Sequence, residues 1–299
     1  QFFLLRRRPP RSTPLYSSAA SEVYKRQFMY NNNELKTVTL TTLRDLKSRG
    51  EKIACLTAYD ATFANLVDKS GAEIILVGDS LGMVIQGNKT TVPVKIEDMI
   101  YHTKIVASSV NYSFLISDMP FMSFYNESVA IDNAKRLMQD GGAQMVKLEG
   151  NNSQLNIIEK LANSDIPICA HIGLRPQSVN KMGGYKVQGK SSSEAKILIQ
   201  EAKKIEESGA DLLLLECVSA QTARELAKKI TIPIIGIGAG PEVDGQILVL
   251  YDILGISTGK PPKFSKNYMD GNNTIEDAIK HYIHEIKTLK YPTDEHSFK

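Results

Sequence analysis

An α/β fold is predicted, an eight-stranded parallel (βα) barrel of the TIM type with a helix ahead of its first strand. Three observations predict it. Short runs rich in Ile, Val and Leu alternate with helix-like stretches along the chain. Those runs lack the polar/apolar alternation of half-exposed strands, as expected when both faces of a parallel sheet are covered. Six of them, CLTAYD, AEIILVGDS, SFLISDMP, MVKLEG, IPICAHIG and LLLLEC, close on ionisable residues: Asp60, Asp79, Asp118, Lys147 with Glu149, His171 and Glu216. In a parallel barrel all strand C-termini lie at one end, where active sites are built.

Each element follows in order. Residues 40–50, LTTLRDLKSRG, put Leu43 and Leu46 on one face and stop at Gly50, so a helix precedes the barrel. Strand 1 is expected over 52–58, with a helix after Asp60. Strand 2 covers 73–78 and leads through GNKTTVPVK to a helix over 96–109. Strand 3 covers 113–118. The helix after it has Glu127 early and stops at Gly141. Strand 4 covers 144–148, before a helix over 152–163. Strand 5 covers 166–171, and the next helix starts at a Ser cap and ends at Gly209. Strand 6 covers 211–216, followed by a helix over 219–229. IPIIGIG is strand 7, strand 8 is placed near 246–252, and a C-terminal helix runs over 274–288. Strict βα alternation with short connectors implies parallel pairing. Periodicity alone leaves an open doubly wound sheet as the competing arrangement.

The chain has 299 residues, enough for one barrel of roughly 250 residues with extensions. Its 42% apolar and 23% charged residues are ordinary for a globular protein. No apolar stretch is long enough for a transmembrane helix. The formal charge of +3 is concentrated at one end. Residues 1–28 carry Arg6, Arg7, Arg8, Arg11, Lys25 and Arg26 against Glu22, a net +5, which leaves −2 for residues 29–299. A mildly acidic body carries no nucleic-acid footprint. Residues 1–28 have no periodicity. They are expected to be a disordered leader or a non-native scar, the scar being preferred with Met29 as the true start, and residues 29–299 to be a single catalytic barrel. Cys55, Cys169 and Cys217 form no C-x-x-C pair and read as buried, reduced cysteines. Cytoplasmic localisation is expected, or mitochondrial should the leader be a transit peptide.

The strand ends supply the chemistry. Asp79 and Asp118 follow neighbouring strands, and with Glu149 they offer hard oxygen ligands of the kind Mg²⁺ takes. The bland reading is that Asp caps the helix after a strand. Lys147 and Glu149, two apart on strand 4, share a face. A lysine buried there needs a partner or a ligand, and a structural ion pair would also serve. His171 alone reads as a satisfied core histidine as readily as a catalyst. A carboxylate closing LLLLE is costly unless it is used, which nominates Glu216. GIGAG after strand 7 weakly suggests a phosphate-cradling loop. GGYKVQG reads as an ordered loop near the rim.

TAYD, VGDSLGMVIQG, DMPFMSF, MVKLEG, HIGLRPQSVN, GGYKVQG, LLLLECV, IPIIGIGAG, DGQILV, PKF and EHSF occur in that order. From about Thr37 onward the chain resembles the ketopantoate hydroxymethyltransferase family. One departure is Arg175, where a smaller polar residue is common; it touches loop contacts and not the chemistry. The resemblance implies a Mg²⁺-dependent barrel enzyme that carries a one-carbon unit from the co-substrate 5,10-methylenetetrahydrofolate to 3-methyl-2-oxobutanoate, on the route to pantothenate. It implies that Asp79 and Asp118 ligate the metal with Glu149 close by. Ser80, Lys147 and His171 join the two aspartates in the oxo-acid site, and Glu216 is the general base. It also implies a homo-oligomer, in the family often a decamer. Two other readings stay open: another Mg²⁺-dependent barrel acting on 2-oxo acids, such as a carbon–carbon lyase, and a non-catalytic small-molecule-binding barrel.

Overall fold

The computed structural model describes residues 36–299, so the expectation for residues 1–28 lies outside the described residues. Helix α1 (Leu40–Ser48) is capped by Thr39 and buries Leu43 and Leu46. Eight strands then pair in chain order and close on themselves: β1 (Ile53–Thr57), β2 (Ile74–Val77), β3 (Phe114–Asp118), β4 (Met145–Glu149), β5 (Ile168–Gly173), β6 (Leu212–Glu216), β7 (Ile234–Ile237) and β8 (Gly245–Leu248). All pairings are parallel, and the β1–β8 seam, with Ile53 opposite Gly245, excludes the open doubly wound sheet.

Helices cover the outside. Asp60 caps α2 (Ala61–Lys69), accepting from Phe63 N at 2.9 Å. A short α3 (Leu81–Val84) and then α4 (Ile96–Ala107) follow β2. Asn126 caps α5 (Glu127–Gln139). The helix expected over 152–163 divides into a 3₁₀ turn, Asn152–Gln154, and α6 (Leu155–Ala162). After β5 come a 3₁₀ turn at Pro176–Ser178, a short α7 (Val179–Met182) and α8 (Ser192–Glu207). Ser191 is the expected Ser cap of α8, and the structure adds a reciprocal box with Glu194. α9 (Ala220–Ala227), α10 (Leu250–Ile253) and α11 (Ile275–Lys287) complete the shell. Strand 8 ends at Leu248, earlier than expected, because the run QILVLYD passes from strand into α10. α11 docks through Ile279, Tyr282, Ile283 and Ile286, all buried, and the Tyr282 hydroxyl donates to Cys55 O at 2.9 Å.

Strand register determines which residues enter the barrel. Ile74, Ile116, Lys147, Cys169 and Leu214 line a small interior cavity of about 10 Å³. The interior is therefore a packed core and not a pore. Side chains alternate along a strand. Two residues beyond these, on the same inward face, stand Asp118, Glu149, His171 and Glu216. Asp118 is opposite Lys147, Glu149 opposite His171, and Gly173 opposite Glu216. The three cysteines are free and buried. No described helix is long and apolar enough to cross a membrane.

Candidate active site

The C-terminal rim gathers four acids around one lysine. Lys147 Nζ lies 2.7 Å from Asp118 Oδ1, with both side chains almost fully buried. The contact is a buried ion pair in which the ammonium faces Oδ1 directly, so this oxygen is neutralised by Lys147. Asp118 Oδ2 accepts the backbone N–H of Asp79 at 2.9 Å. The turn after β2 thus sets the carboxylate at the end of β3. Burial pulls the Lys147 pKa down, but the charges of Asp118, Asp79 and Glu149 outweigh it and hold the ammonium above its ordinary value. Lys147 is a fixed cation.

Asp79 receives Gln177 Nε2 at 2.8 Å on Oδ2. Burial, then the charge of Asp118, pushes its pKa up to about 7. Glu149 takes the backbone N–H of Gln177 on both oxygens, at 3.0 and 3.1 Å. Burial and the neighbouring Asp79 raise it well above the usual carboxylate range. Neither Asp caps a helix here; that reading holds for Asp60 alone.

His171 bridges the lysine and the last acid. Its Nδ1 is 3.4 Å from Lys147 Nζ, and its Nε2 is 3.3 Å from Glu216 Oε2. Burial, then the Lys147 charge, lowers its pKa well below the ordinary value, so the ring is neutral. Lysine only donates, so Nδ1 is assigned as acceptor and Nε2 carries the hydrogen, aimed at Glu216. The 3.3 Å contact is off the hydrogen-bond line, and Nε2 lacks a partner that satisfies it fully. Glu216 is pushed up to about 7 by burial, with Lys147 pulling the other way. Its side chain keeps 15% exposure, enough to meet a ligand. A partly exposed rim carboxyl with that pKa is matched to general-base work near neutral pH.

Ser80 stands at the start of α3, and its Oγ is 2.8 Å from the Tyr59 hydroxyl. A Cβ on Gly78 would lie 2.8 Å from Ser80 Oγ and 3.5 Å from Asp118 Oδ2. Glycine there lets the hydroxyl and the carboxylate approach each other. Every residue nominated from the sequence for the site, Asp79, Ser80, Asp118, Lys147, Glu149, His171 and Glu216, therefore sits on the rim. Tyr59 and Gln177 were not nominated. Tyr59 lies in TAYD and Gln177 in HIGLRPQSVN, but neither carries a charge that marks it in sequence. GGYKVQG borders the site: Tyr185 has its hydroxyl pKa raised by burial and then by Glu216, Asp79 and Glu149. The GIGAG glycines are explained by packing, because a Cβ on Gly238 would lie 2.8 Å from Phe264 and 3.0 Å from Phe298.

A divalent cation fits part of this set. Asp79 and Asp118 are buried side by side, and the repulsion that raises Asp79 is what a cation would relieve. Among the described residues no three His, Cys, Asp or Glu side chains are arranged to hold a metal by themselves. Asp79 and Asp118 would be two ligands, with water and substrate completing the shell, a pattern suited to Mg²⁺.

Fold and site together define an enzyme: a parallel barrel whose rim carries a fixed cation, a neutral imidazole and a carboxyl poised near neutrality. Residues 37–294 match the ketopantoate hydroxymethyltransferase family. A 3-methyl-2-oxobutanoate hydroxymethyltransferase of Hahella chejuensis is 52% identical over 262 residues, 88% of this chain and 99% of that one. Another, from Alkalilimnicola ehrlichii, is 49% identical over 273 residues, 90% and 99% of the two chains. The chain belongs to the ketopantoate hydroxymethyltransferase family. Among solved structures, phosphonopyruvate hydrolase shares the fold, with a TM-score of 0.55 and 12% identity over 86% of this chain and 99% of that one.

Proposed function

We propose that this chain catalyses Mg²⁺-dependent transfer of a one-carbon unit from 5,10-methylenetetrahydrofolate to C3 of 3-methyl-2-oxobutanoate, yielding 2-dehydropantoate and tetrahydrofolate. Family membership supports the reaction class. The observation that carries the reading is Glu216, a carboxyl whose pKa burial pushes up to about 7, on the same rim as the Lys147–Asp118 ion pair. In net terms a C–H bond at C3 is replaced by a C3–CH₂OH group, the carbon coming from the folate and the hydroxyl oxygen from water.

Lys147 binds the oxo-acid and places a permanent positive charge beside the oxygens where negative charge develops. Ser80, held by Tyr59, adds a hydroxyl to the same anion. Ionised Glu216 takes the C3 proton. The neutral His171, 3.3 Å from Glu216, lines the site beside the base. Asp79 and Asp118 would hold Mg²⁺, with Glu149 beside them. The ion, when bound, supplies electrophilic polarisation of the 2-oxo group.

The test is an incubation of purified protein with the oxo-acid in D₂O, followed by NMR. Exchange at C3 is expected to need Mg²⁺ but not folate, and 2-dehydropantoate is expected only when both are present. Product formed without folate, or exchange at the uncatalysed rate, sinks the reading. The folate requirement also separates it from a carbon–carbon lyase.

A further inference from the structure

We propose that Gln177 is a positioning residue that fixes the direction of the Asp79 carboxylate at the barrel rim. The inference rests on the reading above that Asp79 works in the site. Gln177 sits in the 3₁₀ turn Pro176–Ser178 after β5 and is 5% exposed. A buried amide is costly unless its groups are satisfied, and every donor of this one is used. Its Nε2 donates to Asp79 Oδ2 at 2.8 Å and to Met119 O at 3.0 Å, while its backbone N–H spans both oxygens of Glu149.

One neutral residue from the turn after β5 thereby ties down the end of β4 and the chain just beyond β2 and β3. Among the described residues it makes the only side-chain hydrogen bond to the Asp79 carboxylate. It occupies one oxygen and leaves the other for a ligand. A lysine or arginine could hold Asp79 as firmly, but it would neutralise the charge the site needs. An amide fixes direction and leaves the charge intact. Met119 O matters for the same reason: the second amide hydrogen is anchored on rigid backbone, so the first cannot swing away from Asp79.

Gln177→Met isolates the role. Met matches the length of Gln and keeps the backbone N–H for Glu149, but it loses both side-chain bonds. Gln177→Glu keeps the shape and replaces the donor by an acceptor. Both variants are expected to melt within a few degrees of the parent. For Gln177→Met, kcat is expected to fall by about 10²-fold, the penalty typical of a 1 Å misplacement. KM for the oxo-acid should stay within about threefold, because Lys147 and Ser80 still bind it. Gln177→Glu should fall at least as far. A Gln177→Met enzyme with kcat within about twofold of the parent overturns the inference. So does a loss of activity that merely follows a loss of folded protein, which is what a structural role predicts. Asp79→Ala is run alongside. If Asp79→Ala is fully active, the functional reading fails; if it is inactive while Gln177→Met is active, only the positioning role fails.

Discussion

Glu216→Gln separates catalysis from stability, and the two should move in opposite directions. The substitution keeps the size of the side chain and an oxygen that can face His171 Nε2, but an amide is no base at neutral pH. General-base catalysis contributes roughly 10²–10⁴ in rate. Exchange of the C3 proton should slow by about that factor, equivalent to roughly 3–5 kcal/mol of barrier. The stability effect follows from the raised pKa. The folded protein holds the Glu216 proton up to about pH 7, whereas an unfolded chain releases it near 4.3. Between those values the folded state binds more protons, so stability is lost as pH rises, and above 7 the penalty is complete. It amounts to roughly 4 kcal/mol at most. Gln cannot ionise and escapes it. Thermal melts of both proteins from pH 4 to pH 8.5 should coincide at the acid end and diverge upward in favour of the variant. An inactive variant with no such divergence means that the pKa of Glu216 is not raised. Wild-type exchange in the variant means that another group is the base.

Asp118→Ala should weaken Mg²⁺ binding, read by calorimetric titration, and it leaves Lys147 buried without its ion-pair partner, a loss of about 3–5 kcal/mol in stability; unchanged affinity argues against the ligand assignment. Gly173→Ala should lower both the melting temperature and kcat. Its φ of +89° is strained for alanine, and the added Cβ would lie 2.4 Å from Glu216 O, so a fully active, equally stable variant contradicts the register described here. A chain lacking residues 1–28 should match the full one in melting temperature and turnover, since the family match begins at residue 37.

The site was legible where charge meets a buried strand. Asp118, Lys147, Glu149 and Glu216 stand out because nothing else in those runs ionises, and parallel pairing brings their strand ends together. Gln177 does equal structural work at the same rim and left no trace, because an amide in a loop looks like any other polar loop residue. Tyr59 was hidden similarly: its ring is core, and only its hydroxyl faces Ser80. Asp60 is the contrast, a strand-end acid not nominated for the site, whose use is local as the cap of α2. Strand 8 was located but extended too far, because apolar residues continue past Leu248 into α10 and hydrophobicity does not mark where extended backbone turns helical. The Mg²⁺ expectation came from the resemblance and from hard oxygen donors. The structure adds the mutual repulsion of the buried Asp79 and Asp118 carboxylates, which no sequence pattern contains.

The seam between β1 and β8 bears on how the chain is made. Ile53 to Leu56 hydrogen-bond to Gly245 to Leu248, so the barrel closes only when segments nearly two hundred positions apart meet. A chain leaving the ribosome in order carries the unpaired side of β1 throughout the synthesis of the next six strands, and each newest strand adds a second open edge. Such edges invite pairing with other nascent chains. Fragments released before Gly245 should therefore collect in the insoluble fraction. A circular permutant with its ends moved to another βα connection would carry the same seam elsewhere, making the period of exposure something that can be designed.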